Sequence, residues 1–482
     1  MIEIPFVGQS YQVSEIDVSA QRTVNLYLEV YDDGKVKTPM SLKATPGLLR
    51  GATMSYGANK MRCLYQTSTS RLFAVRGNGV AEFSTALAET SRFTLTTGLT
   101  APSSNIVKMA DNGVQMLVSD GSSSGYTYDL STDTATLITD VDYPAATFCG
   151  IIDGFYLANV PNSTLVRYSA VDNPTSWSSL SSMSKEGSSD FVNSFIVSNR
   201  KIWIFGKQSY EVFYNTGDSN NQFLRMEGTY HLIGNEAPYS LAEDGESVFW
   251  LGGNAQGFGQ IYRSVQGGFD AIPISTKPIE QAIHGYSTSS DAEGFCYQQE
   301  GNSFYKLNFP TANKTWVYNI SSGQWHEESF RNTTTGTDER HRARVQAFFN
   351  GKNYVGDRED GRIYEISTTT YTDDTNVIIR KRISPVVWNA LNRVFYKSIQ
   401  FDVQTGVGLV TGQGSDPKLV YSHSNDAGHT YGNEDLLSIG KMGQYRVRVK
   451  KNRLGAARAR VFQITYSEPT AFTLFNAFAE FA

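Results

Sequence analysis

Along the middle of the chain, hydrophobic and polar residues alternate with a period of two, and the alternation is cut by Gly or Asp turns. One unit recurs: an aromatic or aliphatic strand, a turn, then a strand holding Tyr or Phe. It reads RLFAVRGNGVAEF from Arg71, VQMLVSDGSSSGYTYDL from Val114 and GFYLANVPNSTLVRY from Gly154. It returns as KIWIFGKQSYEVFY from Lys201, SVFWLGGNAQGFGQIYR from Ser247, GFCYQQEGNSFYKLNF from Gly294 and KNYVGDREDGRIYEI from Lys352. Side chains two residues apart share one face of a strand, so this pattern predicts half-buried antiparallel strands and few helices.

Aligning Leu72, Met116, Phe155, Trp203, Phe249, Phe304 and Tyr354 gives steps of 44, 39, 48, 46, 55 and 50 residues, averaging 47. That period sits beside the roughly 40–50 residues of propeller blades. A four-stranded blade cannot bury both faces alone, and stacking in a ring completes its core. The clearest unit is 294–328, where GFCYQQEG, SFYKLNF, TWVYNI and QWHEE are separated by turn residues. The predicted fold is all-β: a β-propeller of about seven blades, with six as the alternative count. Unrelated hairpins forming one or two sandwiches are the competing architecture. The expected division is an N-terminal arm over 1–55, the propeller over 56–372 and a basic β-sandwich-like module over 373–482. Pro46-Gly47 breaks the arm, which either wraps a neighbour or closes the ring.

Composition supports a globular chain, with 40% hydrophobic and 18% charged residues in 482. Net charge is −5, but it is unevenly spread. Residues 376–465 hold 14 Lys and Arg against five acidic residues, a balance of +9 that leaves −14 for the rest. The N-terminus MIEIPFVGQS has neither the basic nor the apolar region of a secretion signal, and no apolar run is long enough to span a bilayer. Cys63, Cys149 and Cys296 are odd in number and widely spaced, which predicts small buried side chains and neither a disulfide framework nor a zinc site.

Candidate chemistry is sparse. SNDAGHTY matches the Asp-box pattern S-x-D-x-G-x-T-W with Tyr in the last place, through Ser424, Asp426, Gly428, Thr430 and Tyr431. The box occurs in sialidase propellers, but physically it is a turn. Glycoside cleavage needs paired carboxylates, or a Tyr nucleophile within an arginine cluster, and one box outside the repeat supplies neither. DREDGRIYE from Asp357 departs from calcium-loop spacing and reads as a solvated blade turn. The six histidines show no zinc-ligand spacing, and there is no nucleophile elbow or phosphate loop. No catalytic residue, cofactor or metal is expected.

The remaining signal is QYRVRVKKNRLGAARARVFQITYS, residues 444–467, with seven basic residues and no acidic one: Arg446, Arg448, Lys450, Lys451, Arg453, Arg458 and Arg460. Alternation with Val447 and Val449 predicts a strand with its charges on one face. KKNRLG would turn the chain, Arg458 and Arg460 would begin a return strand, and a bulge is expected at Phe462. A solvated sheet face, an interface with an acidic partner and a surface facing DNA phosphates are the three readings.

These same residues carry a resemblance. The succession FDVQTGVG, SNDAGHTYGNE, SIGKMGQY and RLGAARARVFQITYSEP resembles the C-terminal pattern of packaged-DNA stabilisation proteins, the tail hub or nozzle proteins of short-tailed bacteriophages. QRTVNLYLEV and TPGLLR resemble the same family's opening segment. Tyr431 stands where many relatives have Trp, and Ala459 where an Asp is expected. The resemblance implies a structural virion protein, made in the host cytoplasm and placed in the tail, with no enzymatic role. It implies a homo-oligomeric ring, expected to be a hexamer, below the head-to-tail adaptor. Such a ring continues the channel for packaged double-stranded DNA and retains the genome until ejection. Tail spikes or fibres would dock on it, a tail plug or needle would close it, and it would meet the host envelope only indirectly. The alternative is a propeller-type host-glycan binding or depolymerase-like tail protein.

Overall fold

The seven positions that mark the sequence repeat all fall on the same strand of successive sheets. Leu72, Met116, Phe155, Trp203, Phe249, Phe304 and Tyr354 each lie on the second strand of a four-stranded antiparallel unit. The computed structural model describes residues 1–31, 33–95, 105–245, 247–265 and 267–481. The sixth unit is built from Glu293–Gln299, Asn302–Phe309, Lys314–Asn319 and Gln324–Asn332, matching the four strands legible in its sequence. The fold is a β-propeller of seven blades followed by a β-sandwich.

Each blade leaves apolar side chains on both faces, and seven separate apolar clusters fill the seven spaces between neighbours. The last space closes the ring: Met61, Leu64 and Leu72 of the first blade pack with Val345, Ala347 and Phe349 of the seventh. The seventh blade takes its outer strand from the N-terminal segment. Gly47–Thr53 pairs antiparallel with Arg362–Ser367, setting Leu48 opposite Ile366 and burying it. Gly47 is required by close approach, since a Cβ there would lie 2.5 Å from the carbonyl oxygens of Thr370 and Thr372. Joining the two ends of the propeller in one blade removes an open sheet edge.

The rest of the N-terminal segment belongs to the sandwich. Its first sheet runs in the order Leu26–Val30, Met40–Ala44, Thr473–Phe481, Val394–Val403 and Val449–Ala457, with Ile2–Ile4 paired to Thr473–Phe481. The second sheet orders Ala20–Val24, Arg380–Ile383, Ala459–Tyr466, Lys418–Ser424 and Asp435–Ser438. Phe6, Leu42, Ile399, Leu419, Phe462 and Leu474 lie between the two sheets. A parallel bridge from Val24 to Glu327 makes the second sheet continuous with the sixth blade. Arg22 reinforces that junction, donating from Nε and Nη2 to the Glu327 carboxylate at 3.0 and 2.6 Å. Buried Arg382 donates to the carbonyls of Phe6 and Gln9, to the Thr23 hydroxyl and to the Gln21 amide oxygen, tying the arm to the sandwich.

Candidate functional site

The innermost strands of the blades carry charged residues within apolar surroundings, and those charges meet at the propeller axis. Arg344, on the seventh blade, donates from Nε to both carboxylate oxygens of Glu293 at 3.0 Å and from Nη2 to one of them at 2.6 Å. Its Nη1 donates to the Met61 carbonyl of the first blade at 2.8 Å. Arg62 donates to the carbonyls of Asn105 and Gly77 and faces Asp120 of the second blade at 3.4 Å. Phe148, leading into the third blade, stacks on Tyr239, leading into the fifth, with ring centroids 5.4 Å apart. This stack joins two blades that are not neighbours in the ring. Arg62, Asp120, Phe148, Glu293 and Arg344 are all buried. Burial is the main influence on Arg62, lowering its pKa, while Asp120 opposes the shift. Buried ion pairs and a ring stack therefore tie the blades together. Sequence reading missed these contacts, although charged positions inside the apolar runs KMRCLY, EGFCY and RARVQAFF were visible.

The basic stretch departs from its predicted shape. Arg446 lies in a turn and Arg448 just before the strand, which begins only at Val449. KKNRLG does not reverse the chain: Val449–Ala457 runs through it and kinks at Arg453, whose φ is +62°, opposite a register break between Tyr396 and Ser398. The following strand, Ala459–Tyr466, is not its hairpin partner but belongs to the other sheet, with Arg458 in the bend between them. Phe462 makes no bulge, because its pairing with Lys418–Ser424 is regular. The alternation slips there because both faces are covered, Val461 packing under the arm and Phe462 in the sandwich core.

The seven cations accordingly divide. Lys450 faces Glu480 at 3.6 Å, and Lys451 reaches Asp435 of the opposite sheet at 2.5 Å. Arg460 is fully buried, donating from Nε and Nη2 to the Asn425 side-chain oxygen at 2.9 and 2.7 Å and lying 4.2 Å over the Tyr396 ring. Burial lowers its pKa, and it offers nothing to an outside partner. Arg446, Arg448, Arg453 and Arg458 are exposed, and none forms an ion pair within the chain among the described residues. These four form the available part of the stretch.

The Asp-box residues build one turn at the end of Lys418–Ser424. Asp426 accepts from the Thr430 amide and hydroxyl and from the Ser424 hydroxyl, while Ser424 Oγ accepts from the amide of Gly428 at 2.8 Å. These bonds, the Ser424 hydroxyl foremost, hold the Asp426 carboxyl well below the usual carboxylate range. Gly428 takes φ +111°, and Tyr431 packs with Ala20, Ile383 and Val461. The carboxylate is spent on its own loop.

DREDGRIYE differs from a solvated turn, because Asp357 is fully buried, accepting from Arg342 Nε at 2.6 Å and from the Tyr364 hydroxyl at 3.0 Å. Among the described residues no three His, Cys, Asp or Glu side chains gather as a metal site. Sequence reading also passed over Asp373 at the propeller–sandwich junction. It is buried, and its Oδ1 has no hydrogen-bond partner.

Comparison with known proteins assigns this combination of ring and sandwich. No curated relative matches the chain. Two family models do, and together they span nearly all of it: "Bacteriophage P22 Gp10, beta-propeller" over residues 2–371 and "Bacteriophage P22 Gp10, beta-sandwich" over residues 379–482. A propeller closed by its own N-terminal strand, joined to a sandwich through the same segment and matched at this length, places the chain in the bacteriophage P22 Gp10 family of packaged-DNA stabilisation proteins, structural proteins of the phage tail.

Proposed function

We propose that this chain is the ring subunit of a tail hub or nozzle, six copies of which assemble below the head-to-tail adaptor. The observation that carries the reading is the match of propeller and sandwich together to a tail-protein family over nearly the whole chain. In this reading the DNA path runs between copies, so continuing the channel and retaining the genome are properties of the ring. Outward-facing loops are free to make contacts with spikes or fibres and with a plug or needle. Arg446, Arg448 and Arg453 lie at a protein interface, facing acidic surface of a neighbouring copy or the adaptor. A lining that gripped phosphate tightly would brake ejection, since each neutralised phosphate steepens the salt dependence by a slope of about −0.9.

This role requires no hydrolysis, and purified protein is expected to leave sialosides and capsular polysaccharide intact. The isolated chain stays monomeric until the adaptor templates its ring. Mass measurement of the protein alone and mixed with its virion's adaptor tests this. A monomer that becomes six copies on the adaptor is expected. A stable trimer that ignores the adaptor would instead fit a receptor-binding fibre or spike.

A further inference from the structure

The first strands of four-stranded antiparallel blades all run the same way, so they begin on one face of the ring. Lys60 and Arg62 stand at the start of Met61–Gln66, and Glu293 opens Glu293–Gln299. Arg340 and Arg344 flank the start of Ala343–Phe349. The sixth, seventh and first blades thus bring these charges together on that face, where the ring closes.

The charges do not balance locally. Four cations, Lys60, Arg62, Arg340 and Arg344, face three carboxylates, Asp120, Glu293 and Asp291. Those carboxylates have other partners: Glu293 takes three contacts from Arg344, Asp120 accepts from the Ser122 amide at 3.0 Å, and Asp291 accepts from the Thr311 amide at 2.8 Å. Arg340 is 8% exposed, and its Nη1 is buried with no hydrogen-bond partner. Glu293 lies 3.9 Å from it, and Asp291 Oδ1, also buried and unpartnered, does not reach it. Arg358, the other cation acting on Arg340, is engaged by Glu339 and Glu359. Lys60 is half-buried and forms no hydrogen bond or ion pair among the described residues. Burial, and then the Arg344 guanidinium, push its pKa down. Burial likewise lowers Arg340 to about 10, against the opposing pull of Glu293.

A buried N–H without an acceptor costs free energy, and a buried unpaired charge costs more. This face supplies donors and excess positive charge and lacks the acceptor for them. A tetrahedral oxyanion fits, because its oxygens can take a guanidinium and an ammonium together.

We propose that Lys60 and Arg340 hold one free oxyanion, inorganic phosphate in the cell, which bridges the first and seventh blades where the ring closes. A duplex presents its phosphates at the surface, whereas Nη1 of Arg340 lies below it. The site belongs to the single chain and is independent of the chain's place in a tail.

Isothermal titration of the full chain with inorganic phosphate, against chloride at constant ionic strength, tests this. One saturable site per chain is expected. Arg340→Gln should weaken binding about tenfold, the effect of one charge-assisted hydrogen bond, and Lys60→Gln should do the same. The surface variant Arg446→Glu with Arg448→Glu should bind as the wild type does. Thermal unfolding gives a second readout. Phosphate at a hundredfold excess over the wild-type dissociation constant should shift the folding equilibrium about a hundredfold for wild type and about tenfold for Arg340→Gln. If Arg340→Gln does not fold, Lys60→Gln, at a half-buried position, carries the same comparison. The absence of saturable heat would overturn the proposal, as would an affinity unchanged in both variants. Displacement of the bound phosphate by a short oligonucleotide would overturn it in favour of a nucleic-acid site.

Discussion

Arg344→Leu tests whether the propeller axis is locked by its buried ion pair. Arg344 is 2% exposed and Glu293 6%, so neither charge is screened by water. The substitution removes three contacts to the carboxylate and the bond to the Met61 carbonyl. Glu293 would then face Arg340 at 3.9 Å, too far for a hydrogen bond. Breaking a buried pair while leaving one charge in place costs about 3–5 kcal/mol. The exposed pair Arg200–Asp153, in which Arg200 is 80% exposed, should be worth only about 0–1 kcal/mol by the same physics. Urea unfolding followed by near-UV circular dichroism reads the difference, with Glu293→Leu and the double variant completing a cycle. The double variant should recover much of the loss, because an apolar pair of similar volume pays no desolvation. A single variant within about 1 kcal/mol of wild type would refute the reasoning, as would a double variant whose loss equals the sum of the two singles.

Gly428→Ala forces a side chain into backbone at φ +111° and sets its Cβ 2.8 Å from that of Ala20. A loss of about 1–3 kcal/mol is expected, and an unmoved urea midpoint would contradict it. Burial, and then the charge of Glu328, raise the Asp373 carboxyl from its ordinary 3.8 to about 7, against the opposing influence of Lys306, Arg380 and Arg342. The folded chain keeps a proton there that the unfolded chain releases, so this contribution is full below the unfolded value and is lost as pH rises through about 7. Asp373→Asn should flatten the stability profile between pH 4 and 7, and an unchanged slope would count against the assignment. Arg446→Glu with Arg448→Glu should yield particles lacking the ring while the isolated chain stays folded. If tails assemble normally but DNA leaks more steeply as salt rises, those arginines face phosphate instead.

The repeat was legible in the sequence because a strand's side-chain period is local, and each blade repeats the same inward and outward choice. That is why seven aligned residues from Leu72 to Tyr354 land on equivalent strands. The Asp-box turn was legible for the same reason, since its bonds join residues at most four apart. Local pattern could not show what lies opposite a strand. Whether Gly47–Thr53 wrapped a neighbour or closed the ring depended on its partner, Arg362–Ser367, more than 300 residues away. The basic stretch misled because its strands belong to two sheets, which makes Arg460 a buried arginine and leaves Arg458 exposed in the bend between them. The buried pairs Arg344–Glu293 and Arg62–Asp120 likewise exist only once neighbouring blades stack. Periodicity along the chain determined the elements, while non-local pairing and burial decided which charges were spent inside and which were left for a partner.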